Sequence, residues 1–344
     1  MAAKQATSRG IKGKRVTAYS FLDLVPIIEG GSAGQALANA ADLAVHAESL
    51  GFQRYWIAEH HGMALAGAAT AVVIGHVAAA TKTIRVGAGG IMLPNHAPLV
   101  IAEQFGTLDA LFPGRIDLGL GRAPGSDPAV ARALRRAFDG DESAFPRDVV
   151  ELQAYFAGTG PVPATPAAGA AVRLVILGSS LFGAQLAAAL GLPFAFAAHF
   201  APDLLDEAAA VYRHYFRASA GLAAPYFICG VNVFGADSDE EAALLASSQA
   251  QAFVALRSGR PIALPPPKPG YRESLPAAAR AMLDRVLECS AVGGPAKLAD
   301  DLAAILRRTQ ADELILSSGI YDHAARKHSL TRAAEAMRAL RVAA

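Results

Sequence analysis

One short segment of the chain carries side chains that could move a proton, the run Trp56–His61. It begins with apolar residues and ends in Glu59, His60 and His61, so a buried strand would deliver polar groups at its carboxyl end. A histidine in such a place can act as a general acid or base near neutral pH. The alternative is that these side chains only hydrogen-bond to neighbouring loops, and the local sequence does not decide between the two.

A metal site is not expected in this segment. Adjacent histidines on an extended strand point to opposite sides, so His60 and His61 are not expected to bind one ion together. No other histidine or carboxylate has a spacing to them that is typical of a metal site.

Three glycines in four positions lie within the third apolar run, at Gly87, Gly89 and Gly90. Glycine weakens a strand because it has no side chain to pack. Either a flat ligand approaches the backbone here, or the backbone takes a geometry that glycine tolerates most easily. A third interpretation is a bulge that only shapes the rim of the sheet.

A lone arginine, Arg122, follows the fourth apolar run, within the pattern Gly-x-Gly-Arg-x-x-Gly at 119–125. The last spacing is one residue too long for a dinucleotide-binding fingerprint, so we do not expect a Rossmann fold. An arginine at a strand end in apolar surroundings needs an anion or a carboxylate partner. That partner is either a bound ligand or a structural residue such as Glu59 or Asp117.

The turn Gly178-Ser179-Ser180 follows the fifth apolar run and opens a helix. Backbone amides, two hydroxyl groups and the helix dipole make such a turn a potential phosphate site. One of the two serines is also expected to cap the helix. The turn lacks the lysine of a Walker loop, and the chain has no Gly-x-Ser-x-Gly elbow, so neither triphosphate hydrolysis nor serine-hydrolase chemistry is indicated.

These segments lie in a regular alternation of apolar strands and helices. Eight strands, each followed by a helix, are typical of a closed (β/α)₈ TIM barrel, which builds its active site at the carboxyl ends of the strands. The predicted strands are 16–22, 52–58, 84–92, 115–120, 172–177, 193–197, 226–234 and 313–317. The predicted helices are 35–50, 68–80, 98–110, 147–156, 181–190, 202–218, 237–257, 276–288, 295–309 and 324–340, with another capped by Asp127.

We expect one domain over residues 16–344, preceded by a solvated tail at 1–15. Insertions follow strands four and seven, on the active-site face of a barrel. The second insertion holds a proline-rich segment, 258–274, which is not expected to form regular structure.

The composition limits the class of protein. Of 344 residues, 53% are hydrophobic and 18% are charged, which permits a large core, and the net charge of +1 does not indicate a nucleic-acid partner. The longest apolar run, 186–198, is too short to span a membrane, and no signal peptide opens the chain. Cys229 and Cys289 lack metal or redox spacing, so we expect buried free thiols in a cytosolic protein.

The order and spacing of these segments resemble the bacterial luciferase-like monooxygenase family, over residues 17–340. The resemblance is to single-chain members that carry Trp-Ile-Ala-Glu-His-His and Gly-Ile-Met-Leu-Pro-Asn-His-Ala-Pro together. It implies a (β/α)₈ barrel that binds FMN at its mouth. Reduced FMN, supplied by a separate reductase, would react with O₂ to give a C4a-peroxyflavin that oxygenates a small organic substrate. It also implies a homodimer through helices near strands two and three, around 66–80.

The resemblance also implies roles for individual residues. It places His60 at the position of the catalytic histidine, facing the reactive edge of the flavin, and Glu59 at that of the flavin-proximal acid. His61, pointing the other way, is then structural. Gly89 and Gly90 fall where the family often has a non-prolyl cis peptide beneath the flavin ring.

For the phosphate of FMN, the resemblance implies Arg122 and the turn Gly178–Ser180. The chain departs from luciferase where Ser179 replaces a glutamate and Gly183 replaces a threonine. We expect phosphate binding to persist and light emission from an aldehyde not to carry over. The segment 258–274 takes the place of the family's mobile lid with a different sequence, so the substrate does not carry over either.

Two other functions stay open at this point. One is a deazaflavin (F420)-dependent hydride transfer on the same barrel, which would need no oxygen. The other is a flavin-binding protein without catalysis, which would bind oxidised FMN tightly and consume no oxygen when the flavin is reduced.

Overall fold

The computed structural model describes residues 17–122, 130, 133, 134 and 144–343. The expected tail at 1–15 and the helix expected at Asp127 lie outside these residues. The strands in the described ranges are β1 (Ala18–Asp23), β2 (Arg54–Ile57), β3 (Arg85–Met92), β4 (Ile116–Gly121), β5 (Arg173–Gly178), β6 (Phe194–Phe196), β7 (Phe227–Gly235), β8 (Ser290–Gly293) and β9 (Glu313–Ser317).

Eight of these strands close a parallel barrel. Their order around the ring is β1-β2-β3-β4-β5-β6-β7-β9, and β9 pairs back onto β1. The predicted TIM barrel is therefore confirmed, with the predicted strand 313–317 closing the ring as β9. The ninth strand, β8, lies outside the ring and pairs with the far end of β7, over Asn232–Gly235. It was not predicted, because four residues are too few to show a strand period.

The helices cover the outside of the barrel. They are α1 (Ala33–Ser49), α2 (Thr70–Ala80), α3 (Pro98–Leu111), α4 (Ala144–Phe156), α5 (Leu181–Leu190), α6 (Leu205–Tyr215), α7 (Asp239–Arg257), α8 (Tyr271–Ser274), α9 (Ala277–Val286), α10 (Pro295–Thr309) and α11 (His323–Ala343), with a 3₁₀ turn at Leu93–Asn95. The expectation that 258–274 holds no regular structure is wrong at α8, which forms after the last proline. Within the described ranges, no helix has the length and apolar character needed to cross a membrane.

Two apolar layers hold the barrel together. The larger lies between the strands and the helices, and the smaller fills the interior of the ring, so the barrel is a packed core and not a pore. The interior layer consists of Leu22, Trp56, Ala58, Val175, Ala195, Ile228 and Ile315. Cys229 and Cys289 are buried free thiols, as expected.

The amino ends of the barrel strands carry a set of buried polar groups that we name the barrel-floor cluster. Its members are Ser20, Arg54, Arg85, Asp117, Tyr226 and Glu313. Arg54 forms 2.8 Å ion pairs with both Asp117 and Glu313. Burial alone would lower the pKa of Arg54, but the two carboxylate charges raise it, so the guanidinium stays charged.

Candidate active site

The polar residues predicted from the sequence meet at the opposite end of the barrel, which we call the mouth. Glu59 and His60 follow β2, Arg122 follows β4, and Ser179 and Ser180 follow β5. They meet there because parallel strands all present their carboxyl ends at one face of a barrel.

Gly89 and Gly90 are joined by a cis peptide bond that involves no proline, as the resemblance implied. The pairing of β3 with β4 shifts register between Ala88 and Ile91, so the ladder is irregular here, as two of the three interpretations of these glycines require. A Cβ atom at Gly89 would lie 2.6 Å from Leu22 Cδ1, and one at Gly90 would lie 2.7 Å from the Gly119 carbonyl oxygen. Side chains therefore do not fit at either position.

Arg122 lies beside the turn that begins α5. Its guanidinium carbon is 4.3 Å from the centre of the Phe182 ring, in the first turn of that helix. Ser180 is the N-cap residue of α5, but its side chain makes no capping hydrogen bond, contrary to the expectation that one of the serines caps the helix. The amino end of α5 therefore brings together a cation, a serine hydroxyl group that makes no capping hydrogen bond, and the amide groups of a first helical turn, which suits a phosphate.

The alternative that Arg122 forms a structural ion pair with Glu59 or Asp117 is wrong. Asp117 pairs with Arg54 and Arg85 in the barrel-floor cluster. The carboxylate of Glu59 receives its hydrogen bonds from residues of the mouth other than Arg122. No carboxylate in the described ranges pairs with Arg122, and we carry the anionic-ligand interpretation forward as a proposal.

Glu59 is the centre of a hydrogen-bonded group that we name the Glu59 cluster. Its oxygen Oε1 lies 2.7 Å from His61 Nε2 and 2.8 Å from His96 Nε2, and its Oε2 accepts the Met92 backbone N–H at 3.0 Å. Burial would raise the pKa of Glu59, but the hydrogen bonds from His96, His61 and Met92 hold it below its ordinary value. Glu59 is thus a carboxylate that orients His61 and His96, and it makes no hydrogen bond to His60.

His60 has a different environment from its neighbours. Its Nδ1 atom is buried and has no hydrogen-bond partner among the described residues. Burial lowers the pKa of His60, the charge of Glu59 opposes that effect, and His61 adds to it. The ring is therefore uncharged at neutral pH.

Sequence reasoning did not select His199, which follows β6 and reaches the mouth as well. Its Nδ1 atom is also buried without a partner in the ranges that the structure describes. Burial, with a smaller contribution from His60, lowers the pKa of His199 to about 4. The available signal was a polar residue directly after the apolar run 186–198, at the mouth end of a predicted strand.

Comparison with known proteins decides the family. The family model for luciferase-like monooxygenases matches residues 20–313. A luciferase-like monooxygenase of Escherichia coli K12 is 51% identical over 319 residues, which are 92% of this chain and 95% of that protein. The chain belongs to the luciferase-like monooxygenase family. The resemblance drawn from the sequence is thereby confirmed, and the protein is an enzyme of an oxidoreductase family.

Solved structures of the family's fold agree with the barrel. The crystal structure of apo-MsnO8 has a TM-score of 0.84 and 33% identity, covering 94% of this chain and 98% of that chain. The oxygenating constituent of 3,6-diketocamphane monooxygenase of Pseudomonas putida, in complex with FMN, has a TM-score of 0.70 and 18% identity, with 94% and 98% covered. An F420-dependent secondary alcohol dehydrogenase has a TM-score of 0.67 and 15% identity, with 94% and 99% covered. The last two likenesses show the fold alone.

The expectation that no third residue is placed to bind a metal together with Glu59 and a neighbouring histidine is wrong. A third residue does have suitable geometry, since ligand atoms of Glu59, His61 and His96 all lie within 4.8 Å of one another. His96 was overlooked because it comes from the 3₁₀ turn after β3, far along the chain. The three side chains satisfy one another through hydrogen bonds, which is how we interpret the cluster.

The segment 258–274, proposed as a lid from the sequence, lies along the mouth side of this family member. Leu264 forms an isolated parallel bridge with Ile28, just after β1. The Pro266 carbonyl accepts a hydrogen bond from Gln251 Nε2 at 2.9 Å, and the Lys268 N–H donates to Ser247 Oγ at 2.7 Å. At its start, Ser258 Oγ donates to the Val254 carbonyl at 2.8 Å and the Arg260 N–H donates to the Ala255 carbonyl at 3.0 Å, so the segment is also joined to the end of α7.

Proposed function

We propose that the protein is an FMN-dependent monooxygenase that receives reduced FMN from a separate reductase and uses O₂ to oxygenate a small organic substrate. The observation that carries the proposal is Arg122, a cation without a carboxylate partner in the described ranges, packed on Phe182 at the amino end of α5. Together with the free hydroxyl of Ser180, it offers a phosphate two kinds of hydrogen-bond donor.

The proposed place of the flavin ring is next to Gly89 and Gly90. A Cβ atom at either residue would collide with neighbouring atoms, so the main chain carries no side chain at these two positions. Glycine allows a flat ligand to approach the main chain closely. His60 and the Glu59 cluster lie at the end of the adjacent strand, β2, and so border the same place.

Bound reduced FMN would supply two electrons to O₂, so that one oxygen atom enters the substrate and the other leaves as water. The protein would hold the flavin and the substrate in position and exclude solvent. An uncharged His60 can hydrogen-bond to a reactant without bringing a positive charge to it. The segment 258–274 would close over the mouth and keep water from the reacting atoms.

Titration of the purified protein with FMN and with riboflavin, followed by flavin fluorescence, tests this proposal. We expect FMN to bind more tightly than riboflavin, because only FMN has a phosphate. Arg122→Ala should weaken FMN binding about 10- to 100-fold, the usual worth of a hydrogen bond to a charged group, and leave riboflavin binding unchanged.

Arg217→Ala is the matched control, since Arg217 is an exposed arginine away from the mouth. It should change neither affinity. Absence of flavin binding, or equal affinity for FMN and riboflavin in the natural protein, would contradict the phosphate assignment.

Oxygen uptake by the protein mixed with chemically reduced FMN separates the three candidate functions. A monooxygenase should consume O₂ and, with its substrate, yield less hydrogen peroxide. Turnover with a reduced deazaflavin under anaerobic conditions would favour hydride transfer instead. Tight binding of oxidised FMN, with no effect of the protein on oxygen uptake, would favour a non-catalytic flavin-binding protein.

We further propose a homodimer through the helices near β2 and β3. Large apolar side chains are exposed near the amino ends of these neighbouring helices, with Val72 of α2 at 74% and Val100 of α3 at 46%. Such side chains on adjacent elements are typical of an interaction surface. A monomeric mass by light scattering would contradict this.

A further inference from the structure

Two histidines reach the mouth from opposite sides of the barrel. His60 follows β2 and His199 follows β6, and these strands lie four places apart in the ring of eight. The two rings are close enough for a charge on His60 to disfavour a charge on His199. Because strands four places apart in a ring of eight stand opposite each other, the space between the ends of β2 and β6 is the centre of the mouth.

Both imidazole rings are oriented so that one nitrogen is buried. Nδ1 of each ring is buried without a hydrogen-bond partner within the described chain. A buried N–H without an acceptor is the costlier arrangement, which favours the tautomer with the proton on Nε2. Each uncharged ring can then donate from Nε2.

The position of His199 is fixed by close packing on β7. A Cβ atom at Gly230 would lie 2.3 Å from His199 Nδ1, so only glycine leaves room for the ring. The His199 carbonyl accepts a hydrogen bond from Asn232 Nδ2 at 2.8 Å. Asn232 Oδ1 accepts one from Gln249 Nε2 at 2.6 Å, and Gln249 Oε1 accepts the Gly319 N–H at 2.6 Å.

This chain of hydrogen bonds links β6, β7, α7 and the loop after β9. It holds the His199 backbone through side chains of two separate elements, Asn232 of β7 and Gln249 of α7, and through the Gly319 N–H after β9. Precise placement of an otherwise unpaired imidazole is what a ligand-binding group requires.

We propose that His199 is a second functional histidine of the mouth, whose Nε2–H donates a hydrogen bond to an oxygen atom of the reactant bound between it and His60. This inference rests on the proposed function, because the reactant is the O₂ that bound reduced FMN would consume at the mouth. His60 and His199 then act from opposite sides of one reactant. Asn232 and Gln249 are positioning residues for His199.

Two substitutions at His199 separate a hydrogen-bonding role from a packing role. His199→Leu removes the donor and keeps much of the volume, whereas His199→Gln keeps an N–H group near the position of Nε2. We expect the reoxidation of protein-bound reduced FMN by O₂, followed by stopped-flow absorbance, to slow about tenfold in His199→Leu, the worth of one hydrogen bond. His199→Gln should stay within about threefold of the natural protein.

Two controls keep this test decisive. The affinity for FMN should change by less than about twofold in both variants, since the phosphate contacts are untouched. His214→Gln, on the exposed face of α6, is the control and should react at the natural rate. Equal rates for His199→Leu and the natural protein, or no advantage of His199→Gln over His199→Leu, would overturn the proposal.

A measurement on the natural protein covers the case in which the variants do not fold. Diethyl pyrocarbonate modifies accessible uncharged imidazoles, and mass spectrometry locates the product. We expect FMN to protect His199 several-fold while His214 stays reactive. Unchanged modification of His199 in the presence of bound FMN would contradict its place at the mouth, whereas failure of FMN to bind at all would contradict the proposed function instead.

Discussion

The two ends of the barrel interior differ in whether their buried polar groups have hydrogen-bond partners. In the barrel-floor cluster, Arg54 joins two carboxylates, and Trp56 Nε1 and Tyr226 add hydrogen bonds to Asp117 and Glu313. At the mouth, His60 and His199 each keep a buried nitrogen without a partner in the described chain.

The hydroxyl groups of Ser248 and Ser318 are also buried without partners among the described residues. Ser318 follows β9 at the mouth, and Ser248 precedes Gln249, which contacts the loop after β9. Burying a polar atom without a hydrogen bond costs free energy. The floor therefore contributes rigidity, and the mouth leaves hydrogen-bonding capacity for a ligand at the expense of stability.

The largest loss of stability is expected from a substitution in the barrel-floor cluster. Arg54→Leu leaves the carboxylates of Asp117 and Glu313 buried without their shared guanidinium, so the free energy of unfolding in urea should fall by about 3–5 kcal/mol. Arg272→Ala is the matched control, because its ion pair with Asp284 is exposed and should be worth less than about 1 kcal/mol. A loss of less than about 1 kcal/mol in Arg54→Leu would remove the distinction between the two ends.

A smaller loss of stability is expected when the pH is lowered, because His199 lies uncharged at the mouth. The pKa of His199 is about 4 in the folded protein against an ordinary value of 6.5, so between these values the unfolded chain binds a proton that the folded chain does not. Stability is therefore lost as the pH falls. From pH 7 to pH 5, the free energy of unfolding should fall by about 2 kcal/mol more in the natural protein than in His199→Gln. Parallel curves for the two proteins would show that His199 is not buried as an uncharged ring.

The smallest changes in the free energy of unfolding are expected at two buried serines, Ser20 and Ser248. Ser20 donates a hydrogen bond to Glu313 at the floor, so Ser20→Ala should cost about 1–2 kcal/mol of unfolding free energy. Ser248 has no partner in the described chain and lies within α7, so Ser248→Ala should be neutral or stabilising by up to about 1 kcal/mol. The same urea titration measures both variants. Equal losses would mean that Ser248 is satisfied after all, and the contrast would not hold.

Much of the fold was predictable because its signals are local. The end of α1 illustrates this, since Gly51, which directly follows the predicted helix 35–50, has a φ of +80° and ends the helix. The strand β8 was not predictable, because it depends on pairing with the extended end of β7 and has almost no pattern of its own.

Some residues of the candidate site could likewise be predicted from the sequence, and others could not. Glu59, His60 and Arg122 could be selected because each follows an apolar run, and parallel strands bring such positions to one face. The partners of those residues could not be selected. His96, which pairs with Glu59, and Phe182, which packs on Arg122, come from other βα units.

The sequence by itself determined the order of strands and helices, the family, and the end of the barrel at which polar side chains gather. These follow from periodicity and from residue order, which are properties of the chain. The tertiary structure alone decided that Glu59 accepts hydrogen bonds from His61 and His96, that Arg122 has no carboxylate partner in the described ranges, and that His199 follows the strand opposite the one that His60 follows. Such pairings join residues far apart in the sequence, and only closure of the ring brings them within reach of one another.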